Sequence, residues 1–321
     1  MPVLSVLLIT FPFFALVACG FVATWRGVLP QVAIPGLNAF VLYFALPCML
    51  YRFGAQTPIA QLLDAQVTLI YLLCAVVMVG VTVALTRRRM GWNDAAFGAL
   101  VAAFPNTGFM GVPMLVALLG AQSAGPVIVT MAIDMVITTS ACIALSRLDL
   151  AGGQGRNSVW TAVRNSLKGM LSNPMPWSIL LGGLASAMGW VLPGPVDKTV
   201  AMLAGAASPV ALFTIGAVLA RSQMNSNERV SAMDYVPIAL AKLVIHPLLI
   251  WGAGMAAISL GMQLKHETLV VLVLLAALPS ASNVSLLTER YGAHSGRVAR
   301  IILVSTSLAF LTFSAAVALM V

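Results

Sequence analysis

Two short polar stretches interrupt otherwise apolar sequence. The first is Phe104-Pro105-Asn106-Thr107-Gly108-Phe109-Met110-Gly111-Val112-Pro113 and the second is Leu278-Pro279-Ser280-Ala281-Ser282-Asn283. Pro105, Pro113 and Pro279 each remove a backbone donor and clash with the preceding turn, so all three are helix-breaking positions. Gly108 and Gly111 weaken the helix between the first two. Irregular backbone at membrane depth is tolerated only where it is buried in protein or lines a wet cavity. A half-helix that starts there presents unpaired N–H groups and a partial positive charge, which is chemistry suited to a carboxylate. Asn106 and Thr107, with Ser280, Ser282 and Asn283, add side-chain donors, and Gly108 allows close approach to the backbone. These six are the candidate substrate-binding residues. Their bland alternative is to satisfy backbone groups that the breaks set free.

Three ionisable residues also lie within apolar segments. Asp134 is a lone carboxylate in Met131-Ala132-Ile133-Asp134-Met135. Such groups are costly in a bilayer and mark functional sites by default. Asp134 is open to three roles: binding a coupling cation, exchanging a proton, or pairing with Lys242. A structural acid bonded to Thr138 is the alternative. Lys242 and His246 stand one turn apart and share a helix face. Lys242 is a candidate to offset substrate charge, against a snorkelling reading, and His246 reads as a packed polar residue.

The elements that must position these residues are membrane helices. The 321 residues have a mean hydropathy of +1.00, are 60% hydrophobic and only 8% charged, which excludes an ordinary soluble domain. The net charge of +8 does not signal nucleic acid, because the basic residues sit in short connections without interleaved aromatics. Spans of roughly 20 apolar residues are expected at 3–24, 33–52, 66–86, 94–119, 123–146, 175–192, 199–220, 233–259, 267–288 and 297–320. Thirteen basic residues fall in or beside odd-numbered connections and three in even ones. That bias places the odd connections in the cytoplasm and both termini outside. Cys19, Cys48, Cys74 and Cys142 lie in apolar segments without metal or disulfide spacing. Leu16-Val17-Ala18-Cys19 resembles a lipoprotein cleavage site, but no positive charge precedes it and no cleavage is expected.

The two halves echo each other. Pro105 and Pro279 are offset by 174, Gly120 and Gly292 by 172, and Pro47 and Pro209 by 162. The fold expected is therefore an all-α polytopic membrane protein with ten transmembrane helices. Residues 1–147 form a first five-helix repeat, 148–173 a Gly/Ser/Asn-rich cytoplasmic linker, and 174–321 a second repeat. An odd number of spans inverts the second copy, a plan common in secondary transporters. Asn93 to Pro105 covers about 18 Å of helix and Thr268 to Pro279 about 17 Å. Both breaks then lie near mid-membrane, reached from opposite faces, so spans four and nine are expected to cross there.

The motif at 104–113 resembles that of the auxin efflux carrier family. Leu278 to Asn283, Glu289-Arg290-Tyr291-Gly292, Leu46-Pro47 and Ser208-Pro209-Val210-Ala211-Leu212-Phe213 fit the same pattern. The resemblance spans essentially the whole chain and is closest to the bacterial malonate and malate permease branch. It implies elevator-type alternating access, with spans 1, 2, 6 and 7 as scaffold and 3–5 with 8–10 as the moving body. Plant carriers have a second proline after the break in span nine, where this chain has Ser-Ala-Ser-Asn, so auxin is not the expected substrate.

The function expected is secondary transport of small organic anions across a bacterial inner membrane. No cofactor or metal is expected beyond a coupling H+ or Na+. The partners are a small carboxylate and the lipid bilayer, with no nucleic acid, and a homodimer is left open. One alternative is a sodium-coupled symporter of the bile-acid type. An intramembrane enzyme is the other, but the chain has no HExxH, no paired aspartates and no GxSxG.

Overall fold

The computed structural model describes residues 3–56, 64–148, 174–225 and 230–321. All but the first residue of the expected linker 148–173 lies outside them. The described chain is helical. We number its helices α1 (Val3–Trp25), α2 (Gln31–Gln56), α3 (Ala65–Ala103), α4 (Thr107–Leu119), α5 (Ala124–Ser146) and α6 (Pro174–Met188). The remainder are α7 (Gly194–Asn225), α8 (Val236–Ser259), α9 (His266–Ala276), α10 (Val284–Tyr291) and α11 (Ser295–Met320). Among the described residues seven helices are long and apolar enough to cross a membrane, and the protein is a multi-pass membrane protein. The expected span four is not one helix. Its first half is the second arm of α3, which turns at Gly91 (φ 77°), and its second half is α4. Span nine is likewise divided into α9 and α10.

Proline shapes several helices from within. The π-helical turns at Val41–Ala45, Thr107–Gly111 and Ala241–Ile245 each end two residues before a proline: Pro47, Pro113 and Pro247. Widening the preceding turn accommodates the ring and the missing donor. A fourth π-helical turn, Asp134–Thr138, has no proline after it. It begins at the buried carboxylate, and such bulges often mark functional positions.

Helices α1 and α7 pack together, as do α2 and α6, and glycines set both approaches. A Cβ on Gly20 would overlap the Phe213 carbonyl, and one on Gly216 the Val17 carbonyl. On the other pair, Gly182 faces the Tyr51 carbonyl and Gly54 the Ile179 carbonyl. Each of these four contacts has its counterpart one offset away: 182 − 20, 213 − 51, 216 − 54 and 179 − 17 all equal 162. Among the described residues the six glycines with positive φ fall into pairs too: Gly27 with Gly189 (162), Gly91 with Gly261 (170) and Gly120 with Gly292 (172). Small residues that let backbones touch are the usual adhesive between membrane helices. Gly216→Ala is therefore expected to cost about 3 kcal/mol through overpacking. Gly205→Ala, on the same helix with open space around it, should be near neutral. Thermal unfolding of the two variants in detergent checks the contrast.

The remaining helices form the other packed group, with α3 against α5 and α8, α9 against α8, and α11 against α8. Its turns are tied by side chains. The Asn93 amide donates to the Tyr291 and Gly292 carbonyls at 3.3 and 3.1 Å, and the His294 N–H donates to Asp94 Oδ1 at 2.7 Å. Arg297 is buried against Gly98 and donates to the Asp94 carbonyl.

Candidate functional site

The two breaks meet. Helix α3 ends at Ala103, and Phe104 leaves it in extended backbone. Pro105 then pairs with Ser280 as an antiparallel bridge. The Asn106 N–H donates to the Pro279 carbonyl at 2.8 Å, and the Ala281 N–H to the Phe104 carbonyl at 3.0 Å. Two residues of extended chain from each half thus satisfy one another where neither helix continues. Further bonds brace the crossing. Ser280 Oγ donates to the Val101 carbonyl at 2.7 Å, while the Ser280 N–H donates to Ser305 Oγ at 3.2 Å. The Thr107 N–H turns back to the Pro105 carbonyl at 2.7 Å. The Asn106 carbonyl accepts from both Met110 and Gly111 at 3.0 Å, which starts α4.

The six candidate binding residues therefore divide. Ser280 is fully buried and committed to Val101, so it holds the break together. Thr107 is buried, and its hydroxyl makes only a long 3.4 Å bond to Pro105. Asn106 is 2% exposed, and its Nδ2 has no hydrogen-bond partner. Asn283 Oδ1 is also buried without a partner. An orphaned buried amide in a native site calls for a ligand or water. Gly108 opens α4, where N–H groups precede the first intrahelical acceptors. Ser282 and Asn283 stand in the same relation to α10.

Ser282 and Asn283 line a cavity of about 20 Å³ with Asn38, Phe109, Ile215 and Arg221. That space holds about one water. The cavity lies between the α2/α7 group and the starts of α4 and α10. A larger cavity of about 510 Å³, at the turns bearing Gln122 and Lys265, contains no residue of either break.

Behind the crossing lies a buried polar chain. Tyr71 Oη donates to Asp134 Oδ2 at 2.5 Å, and Thr138 Oγ1 donates to Oδ1 at 3.0 Å. The Tyr71 ring lies 6.3 Å from the His246 ring. Lys242 Nζ sits 2.9 Å from His246 Nδ1 and donates to the Ala276 carbonyl at 2.7 Å. Asp134, Lys242, His246 and Tyr71 are all fully buried. Lys242 thus places its amine as a donor at the C-terminal end of α9, where the half-helix dipole is negative. Among the described residues the ion pairs within 4.0 Å are Arg52–Asp197 and Arg89–Asp234, so Asp134 and Lys242 do not pair directly. Reasoning from the sequence missed Tyr71 and Ser305. The signal for Tyr71 was its offset of 171 from Lys242, close to those of the other landmarks in this body.

Comparison with known proteins identifies the family. The family model described as "Membrane transport protein" matches residues 5–317. A Rhizobium meliloti protein named "Putative malonate transporter" is 29% identical over 94% of this chain and 91% of its own length. An "Uncharacterized transporter" from Methanothermobacter thermautotrophicus is 26% identical over 92% of both chains. The "Uncharacterized transporter YfdV" of Escherichia coli is 26% identical over 63% of this chain and 60% of its own length. The match runs through both breaks and both helix groups, and the chain belongs to the membrane transport protein family, that of the auxin efflux carriers.

Proposed function

We propose that this transporter carries small dicarboxylates of the malonate and malate kind across the bacterial inner membrane, holding a carboxylate where the two breaks cross. The observation that carries the reading is the orphaned Asn106 amide, set among two helix starts in mid-membrane. A carboxylate there would accept from Asn106 Nδ2, from the N–H groups of Gly108 and Phe109 in the first turn of α4, and from those of Ser282 and Asn283 just before α10. The relative named for malonate supports that substrate class. No enzyme chemistry is invoked, as the family is one of transport.

Ten spans in two inverted repeats, 1–147 and 174–321, make this crossing possible. The constant offset of 162 among the glycine contacts and the paired positive-φ glycines support that plan. So does the exchange of partners, in which α1 clasps α7 as α6 clasps α2. The mechanism is alternating access, with α1, α2, α6 and α7 as scaffold and the remaining helices moving against it. A one-water cavity between the two groups supports this, since a dicarboxylate enters only if they separate.

Uptake of labelled malonate into proteoliposomes tests the function. Uptake driven by a proton or sodium gradient and competed by malate is the expected outcome; no uptake of any carboxylate overturns it. A sodium requirement would favour the bile-acid type of coupling. Orientation follows the charge bias, which puts both termini outside. Single cysteines at Ser158 and Val321, introduced after removal of Cys19, should label from opposite sides of the membrane.

A further inference from the structure

A groove runs along the outside of the protein between α1, α7 and α11. Its apolar part, about 520 Å³, is walled by Phe11, Phe14, Ala18, Phe21, Leu303 and Phe310. Phe14 and Phe310 meet across it edge-to-face at 5.4 Å. Thr306 also lines this part, and its Oγ1 is buried without a hydrogen-bond partner. At its far end the groove shares Leu219, Gln223 and Leu303 with a second cavity of about 310 Å³. That cavity sets Trp25, Ser222, Tyr235 and Arg300 beside the aliphatic side chains of Leu219, Ala299, Leu303 and Val304. Arg300 is held in place there by a 3.1 Å bond to the Val230 carbonyl and by the Tyr235 ring 5.9 Å from its guanidinium.

We infer that this groove binds one anionic diacyl phospholipid, with its acyl chain along α1 and α11 and its phosphate at Arg300. Three features on the page fit that occupant. The lining passes from phenylalanine to arginine in one direction, as a lipid passes from tail to headgroup. Arg300 and Phe310 are ten residues apart on one helix, about 15 Å, which is half of a hydrocarbon core roughly 30 Å thick. Trp25 and Tyr235 stand beside the charge, where amphipathic rings mark the membrane interface. A single basic residue at such a surface favours anionic over neutral headgroups. The groove joins α1 and α7 to α11, so the lipid is a wedge between the two helix groups and its occupancy bears on their relative motion.

The test is native mass spectrometry of the purified protein after incubation with equal amounts of dioleoyl phosphatidylglycerol and dioleoyl phosphatidylcholine. The wild type should retain one phosphatidylglycerol in preference to phosphatidylcholine. Ala18→Trp, on the open side of the groove, should lower retention about tenfold, as exclusion of two methylenes would. Arg300→Gln should lower the preference for the anionic lipid about fivefold. Leu311→Trp, on α11 but not in the groove lining, should behave as wild type. If Ala18→Trp does not fold, Ser307→Trp fills the groove from its other wall. Equal retention of both lipids by the wild type overturns the inference. So does unchanged retention by a monodisperse groove-filling variant, or a lipid-free dimer with the groove at its interface.

Discussion

Asp134→Asn is expected to abolish gradient-driven uptake while leaving the protein folded. Both carboxylate oxygens accept hydrogen bonds, from Tyr71 at 2.5 Å and Thr138 at 3.0 Å. Asparagine keeps that shape, and the two hydroxyls rotate to meet its amide, so stability should change little. What disappears is an ionisable carboxyl in a body that holds Lys242 three links away, through Tyr71 and His246. We propose that this carboxyl binds or releases the coupling cation, so replacing it with a group that cannot ionise should lower uptake on the order of 100-fold or more. Asp134→Ala should also destabilise, because it leaves the buried Tyr71 hydroxyl without its acceptor. The measurement is initial uptake at several pH values, with and without sodium. Unchanged uptake and unchanged ion dependence would make Asp134 purely structural.

The second large effect is expected at Asn106. Removing its amide in Asn106→Ala should weaken malonate affinity on the order of 10- to 100-fold, the equivalent of one charge-assisted bond. Stability should hold, because Nδ2 makes no hydrogen bond within the protein. Backbone bonding at residue 106, to Pro279 and from Met110 and Gly111, survives the substitution. Asn106→Asp nearly preserves shape but sets a negative charge against the substrate, so it should bind more weakly than alanine. Titration calorimetry of purified wild type and both variants gives the order. Equal affinity of the aspartate variant and wild type would reduce the break to a kink.

The breaks were legible in the sequence because proline and glycine act locally. Pro105, Pro113 and Pro279 prohibit continuous helix whatever packs around them, and helix rise alone placed two of them at mid-membrane. The pairing of Pro105 with Ser280 was not legible, since it joins chain segments 175 residues apart through backbone atoms that no side-chain pattern reports. Asp134 was conspicuous as a lone charge, whereas its partner Tyr71 looks like any aromatic in an apolar span. Lys242 was assigned to substrate charge or to an interface, and its bond to the Ala276 carbonyl gives it a third position, at the end of a half-helix. Ser280 was grouped with the binding residues, yet its hydroxyl is spent on Val101. Three landmarks in the sequence motivated the proposed duplication. The glycine contacts support it, because close backbone approach would repeat with the fold even where larger side chains diverge.

The account rests on a carboxylate occupying the crossing of the two breaks, and a structure of the protein determined with malonate tests that most directly. The predicted result is ligand density within hydrogen-bonding distance of Asn106 Nδ2 and of the N–H groups that open α4 and α10, in a cavity enlarged by separation of the two helix groups. Malonate density elsewhere, with the Asn106 amide still unpartnered at a closed crossing, would contradict it.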